Sequence, residues 1–306
     1  MNDERGFALV ITLLITALLV ALAVEFATEV YVDTSARQSF VEAQQASYLA
    51  ESGITGGVKV LQLSLAEQSF SSFLDPWAKP LEIEDESGHV IVTIEDESGK
   101  LNINQVFGAN GKPVFQINYD VAARLLKRLR LSPDLLDALA DWVSDSTVYP
   151  HPAGGKNAYY NSLKPPYGAK NAKLDTYEEL ALVRGFNTLL VRQLRQYITI
   201  YTDAPGAINL NTAPKEIIAS LDDRMSDSLT SRVLEFRKTT PLQAPADLGK
   251  VPGLESVYQG LMGLTTTKGT VFRIMSQARV GETVRVIEAV MRIEGSTQKV
   301  LYWREF

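Results

Sequence analysis

Cysteine is absent from all 306 residues. That excludes a disulfide framework, thiol catalysis and a zinc ribbon. Histidine occurs only as His89 and His151. No glycine-rich phosphate loop and no serine-hydrolase or metalloprotease spacing is present, so the chain reads as a non-enzyme. Positive charge is in deficit, and the formal net charge of −6 argues against a nucleic-acid or anionic-lipid surface as the main business. Proline is missing between Phe7 and Pro76, and charge is missing between Phe7 and Val24. What remains, 45% hydrophobic and 22% charged, is ordinary for a folded protein and long enough for two domains beyond a helix.

The uncharged run from Phe7 to Val24 carries hydroxyls only at Thr12 and Thr16. As a helix it spans roughly 27 Å, about one hydrocarbon core. A cleaved secretory signal has a shorter apolar core and a small-x-small site after it; here the run passes into Glu25 and continues in helical style. Residues 7–27 are therefore expected to cross a membrane. Arg5 precedes the span and Glu25, Glu29 and Asp33 follow it, which points to a cytoplasmic N-terminus with the body outside the inner membrane. Without proline the helix can run for about 60 residues, roughly 90 Å, its outer part covering 28–70. Ala36, Phe40, Ala43, Ser47, Ala50, Ile54, Gly57 and Leu61 recur at steps of four and three, an apolar or small stripe on one face. The C-terminal half of this stripe is expected to lie on the protein's own domain. Ala36, Phe40, Ala43, Ser47 and Ala50 are the expected partner-helix face, since small residues let backbones approach.

The polar leader 1–6 with Arg5-Gly6-Phe7 resembles that of type IV pilins and pseudopilins. The resemblance implies cleavage after Gly6 by the inner-membrane prepilin peptidase, with Phe7 the methylated mature N-terminus. One departure matters. The fifth mature position, a glutamate in most of that family, is Ile11 here. A buried carboxylate paired with a neighbour's N-terminal amine favours docking onto a subunit ahead. A subunit lacking it suits the tip, where none lies ahead.

Two copies of a short acidic motif, Ile83–Gly88 and Ile94–Gly99, flank the β-branched run His89–Ile94. They read as strand, acidic turn, strand, with the turns solvated. Val271–Val280, Thr283–Ile293 and Gln298–Phe306 form three further strand-like segments joined by short connections, as in an antiparallel meander. The expected fold is α+β: a long pilin-like N-terminal helix on an antiparallel sheet built from 71–104 and 266–306. A large all-α domain, 105–265, is inserted into it.

That insert reads as a tandem duplication. Gly99-x-Leu101-Asn102-Ile103-Asn104 is echoed by Gly206-x-Ile208-Asn209-Leu210-Asn211, and Leu180-x-x-Val183-x-Gly185 by Leu248-x-x-Val251-x-Gly253. Repeat one covers about 99–200 and repeat two about 206–265. Each is expected to hold a helix entering a glycine turn, and Asn209–Pro214 to cap a helix Lys215–Leu221. The extra length of repeat one is the loop 144–174, dense in Pro, Gly, Asn, Tyr and Lys. The repeats resemble helix-hairpin-helix or SAM-like modules, some of which bind DNA phosphates. A membrane-anchored periplasmic DNA-binding or uptake protein is thus the rival reading. Only Arg184 and Lys250 stand at the glycine turns, where several cations on one face would be needed.

Taken in order, the leader, Ile11, Glu97–Asn104, Leu139–Trp142, Pro166–Asn171, Glu179–Gly185 and Ile208–Pro214 resemble the minor pseudopilin K family of type II secretion, the general secretion pathway protein K. This resemblance implies a non-catalytic subunit at the tip of a periplasmic pseudopilus, assembling with minor pseudopilins I and J. Initiation of the filament and a push on folded exoproteins through the outer-membrane secretin are implied with it. Pseudopilin H and major pseudopilin G are further implied partners, and nucleic acid is not one. A minor pilin of a type IV pilus would share the same head. Family members also carry calcium in the α-domain loop, and Asp141 and Asp145 are the expected ligands here. This chain has Gly154-Gly155-Lys156-Asn157 where the family often places an acidic pair.

Overall fold

The computed structural model describes residues 3–203 and 205–306, and no side chain before Gly6. The first two residues of the expected 1–6 leader thus lie outside the described residues.

Helix α1 runs unbroken over Asp3–Glu67, 65 residues. The hydroxyls of Thr12, Thr16 and Thr28 donate to the carbonyls of Ala8, Thr12 and Val24, four residues earlier. The polar atoms of this stretch are thereby satisfied within the helix, as an apolar medium requires. Residues 6–41 are exposed along their whole length. Beyond them one face is buried, by Ala46, Ala50, Ile54, Val58, Leu61 and Leu65.

That face lies on an antiparallel sheet. Strands β1 (Leu81–Asp85) and β2 (Gly88–Asp96) form a hairpin. The two-residue strands β3 (Leu101–Asn102), β4 (Ile198–Thr199), β5 (Ile208–Asn209) and β6 (Thr265–Thr266) follow. The C-terminal meander is β7 (Val271–Val280), β8 (Thr283–Glu294) and β9 (Thr297–Glu305). The main sheet has the order β1-β2-β7-β8-β9, so chain from both sides of the insert meets at β2 and β7. Trp77, Val90, Val92, Phe272, Ile274, Ala278, Ile287 and Ala289 close one core under α1. The helix comes very close. A Cβ on Gly53 would sit 2.1 Å from Ser276 Oγ and 3.0 Å from the Val90 and Val92 side chains.

The inserted region is helical: α2 (Gln116–Arg128), α3 (Asp134–Val143), α4 (Lys156–Asn161), α5 (Thr188–Leu194), α6 (Lys215–Ser220), α7 (Asp227–Thr239) and α8 (Tyr258–Leu261). It encloses a second, larger core, which also takes in Val271 and Val290 and packs against Leu301 and Tyr302. The sheet is thus served from both faces, by α1 on one and by the inserted domain on the other.

The duplication is written in hydrogen bonds. β3 pairs in parallel with β4, and β5 with β6. Asn102 Oδ1 accepts from Asn104 N, and Asn209 Oδ1 from Asn211 N. Asn104 then exchanges bonds with the backbone of Leu174, its Nδ2 donating to the carbonyl and its Oδ1 accepting from N. Asn211 does the same with Leu242. Each buried amide closes its repeat onto a distant loop. Gly185 and Gly253 sit at corresponding turns with φ +83° and +89°, where a side chain would strain the backbone. The segments entering these turns, Tyr177–Leu182 and Pro245–Lys250, are 3₁₀ helices rather than the expected α-helices. Pro214 itself occupies the N-cap of α6 with no side-chain cap bond, since its ring carries no acceptor, and the Asn209 and Asn211 side chains bond elsewhere.

One expectation fails clearly. The first acidic copy forms an exposed hairpin turn, but the second is buried: Asp96 and Ser98 are 4% exposed and Glu97 0%. It lies where β2 leaves the sheet for the inserted domain, and cations brought from elsewhere in the chain compensate it.

Candidate assembly site

The apolar first half of α1 is long and apolar enough to cross a membrane. Gly6, Phe7 and Ile11 share this exposed stretch. A Cβ on Gly6 would meet nothing within 4 Å, and Phe7 is 69% exposed. Helical backbone passes through the Gly6–Phe7 junction without interruption.

The small-residue face divides. Ala36 is exposed and Phe40 is 66% exposed. Ala43 and Ser47 are half-buried, and the Ser47 hydroxyl donates to Glu305 on β9. Ala50 is fully buried in the protein's own core. So Ala50 is corrected from a partner contact to a contact with the sheet. The reason is geometric: a small residue admits its own sheet as readily as another helix. The face left open beside it carries Val41 and Tyr48. Next to it, Tyr48, Glu51, Ser52 and Thr55 form a groove with Val300 and Trp303 of β9.

Asp141 and Asp145 both act on the Lys156 ammonium, but they differ in burial. Asp141 is fully buried on α3. Its Oδ1 accepts from the His151 backbone N–H at 3.0 Å and lies 2.7 Å from His151 Nδ1. Its Oδ2 faces Gly154, where a Cβ would lie 2.0 Å away. Asp145 is exposed, and its backbone rather than its carboxylate is bound into the loop. Lys156 Nζ donates to Ser144 O at 2.8 Å, Ser144 Oγ at 2.7 Å and Asp145 O at 2.6 Å. Burial pushes this ammonium below its ordinary range, while the charges of Asp141 and Asp145 draw it back up. Among the described residues no group of three or more His, Asp or Glu is placed to hold a metal ion.

Aromatic residues pin the loop. Tyr160 packs edge-on against Trp142, with ring centroids 5.1 Å apart, and lies 5.4 Å from Tyr167. Burial pushes the Tyr160 phenol up to about 12. Its oxygen accepts from the Arg184 backbone N–H. The Arg184 guanidinium donates to Gly154 O and lies over the Tyr159 ring, while Lys250 pairs with Asp247 at 2.7 Å. Arg184 and Lys250 are therefore engaged within the protein, and a third cation, Arg232, lies at the Gly253 turn and donates to Pro252 O.

Sequence reasoning missed the junction between the two parts. Glu97 Oε1 accepts from Lys100 Nζ and Arg273 Nε, both at 2.8 Å. Arg273 and Arg195 both bind Glu288, so the chain of charges crosses from β2 through β7 and β8 to the inserted domain. Burial pushes the Glu97 carboxyl up, but Lys100 and Arg273 outweigh it and hold it at about 2. Burial dominates at Asp96 and raises it to about 6, against hydrogen bonds from Thr212, Asn209 and Ser98. The local signal that separates this copy from its solvated twin is Lys100, which follows it where His89 follows the first copy.

Two family models, both described as type II secretion system protein K, match residues 99–203 and 208–267, together more than half of the chain. The type II secretion system protein K of Aeromonas hydrophila is 27% identical over 242 residues, 72% of this chain and 71% of the relative. That of Pseudomonas aeruginosa is 24% identical over 225 residues, 71% of this chain and 66% of the relative. Among solved structures, the GspK–GspI–GspJ complex of the enterotoxigenic Escherichia coli type 2 secretion system has a chain that matches with a TM-score of 0.75 at 21% identity. The match covers 90% of this chain and 99% of that one. The chain belongs to the type II secretion system protein K family.

Proposed function

We propose that this chain is the minor pseudopilin at the tip of a type II secretion pseudopilus, docking through the exposed half of α1 onto minor pseudopilins I and J. The observation that carries the reading is the helix itself: residues 6–41 are exposed on every side although largely apolar. Such a surface is stable only in lipid or against other helices. The apolar stretch supplies the membrane anchor before assembly, with the N-terminus cytoplasmic and the body periplasmic. Cleavage after Gly6 would leave Phe7 as the mature N-terminus and Ile11 at its fifth position. Without a carboxylate there, the subunit has no charge to offer a neighbour ahead, which places it last in line. Filament initiation, contact with exoproteins and approach to the secretin follow from that position.

The DNA-binding alternative needs free cations at the glycine turns, and Arg184 and Lys250 are already engaged. A minor pilin of a surface pilus shares the fold and differs in its partners, so the test is partner choice. The full-length chain, co-expressed with prepilin peptidase and pseudopilins I and J of the same organism, is expected to co-purify in detergent as a ternary complex. Recovery of the chain alone, with both partners expressed and processed, would overturn the tip assignment.

A further inference from the structure

The calcium expectation meets a chain whose loop already contains a cation. Calcium collects six to eight oxygens at 2.3–2.6 Å, with carboxylates prominent among them. In this loop Ser144 O, Ser144 Oγ and Asp145 O are all taken by Lys156 Nζ, while Asp141 Oδ2 and Asn171 Oδ1 are buried without a hydrogen-bond partner. An ammonium has three protons to donate, so all the donors of the lysine are used by these three oxygens.

The surrounding backbone is shaped around that arrangement. Lys156 has φ +26°, a region that non-glycine residues enter only at a cost. Gly154 closes over the Asp141 carboxylate, at a spot with no room for a Cβ. Asp141 is thereby enclosed with Lys156 as the neighbouring positive charge, its Oδ1 held by His151 and its Oδ2 without a hydrogen-bond partner. A second buried carboxylate, which a divalent ion would need, is missing because Asp145 is exposed.

We infer that the Lys156 ammonium is the resident cation of the 144–174 loop, which therefore keeps its shape without a divalent metal. The lysine joins the end of α3 to the start of α4 across the loop, the link that a bound ion would otherwise make.

The test uses the full-length chain in detergent. Thermal melting and limited proteolysis within 144–174 are followed after EGTA treatment and again with calcium in excess. Superimposable melting curves and equal cleavage rates are expected. A Lys156→Met variant is expected to be cut in the loop about tenfold faster, since three charge-assisted bonds are lost together. A calcium-dependent rise in melting temperature of the native chain would overturn the inference, as would loop cleavage in Lys156→Met at the native rate. If that variant fails to fold, the calcium titration of the native chain decides alone.

Discussion

Asp96 and Glu97 are adjacent and both buried, yet they respond to pH in opposite senses. Glu97 has two cations against it and titrates at about 2 in the fold, below its ordinary 4.5. Its contribution is complete above pH 4.5 and is lost as pH falls toward 2. Asp96 has only neutral donors and is raised from 3.8 to about 6. The folded state then holds a proton that the unfolded state releases, so stability declines as pH climbs from about 4 to 6 and levels off above that. Chemical denaturation across this window is expected to show a falling slope in the native chain and a flatter one in Asp96→Asn. An unchanged slope in the variant would show that the proton resides elsewhere. Little of this was legible in the sequence, where Asp96-Glu97-Ser98-Gly99 looks the same as Asp85-Glu86-Ser87-Gly88. The difference is made by Lys100 beside the motif and by Arg273, which lies far along the chain and reaches Glu97 only once β7 has paired with β2.

At the scale of elements, α1 was the most legible part, because absent proline and absent charge set its length and its first environment. The division of its stripe was not legible. Ala36 through Ala50 form one pattern, yet the sheet claims Ala50 and half-covers Ala43 and Ser47. Gly53 lies outside the stripe as read, although it marks the closest approach of helix and sheet. Replacing it by valine would force the helix off Val90, Val92 and Ser276, an overpacking cost of about 1–3 kcal/mol. A melting temperature unchanged in Gly53→Val would mean that the helix can shift without loss. The two Asn-x-Asn motifs make matching sets of hydrogen bonds. Their long-range partners, Leu174 and Leu242, share no residue pattern with them that could have announced the bonds.

For the whole molecule, strand-like segments at both ends of the body foretold one sheet, and the resemblance foretold the family. The candidate calcium site was the weakest reading. Asp141 and Asp145 sit four apart on paper, but burial takes one inward and leaves the other outside. The way chain enters and leaves the helical insert has a further consequence. Asp96 and Phe272 are the last paired residues of β2 and β7, and they stand directly opposite each other. Neighbouring strands are about 4.8 Å apart, so a two-residue Asn-Gly turn is long enough to join them. Apart from the Val271–Arg292 pair and the bond from Ile293 N to Thr270 O at the edge of β7, the hydrogen-bond ladder of the main sheet does not depend on the residues between. The insert is thus a guest lodged in a hairpin, removable in principle by a single splice. A chain spliced from Asp96 through Asn-Gly to Phe272 is expected to melt cooperatively with its sheet intact by circular dichroism. Loss of the cooperative transition would show that host and guest fold only together.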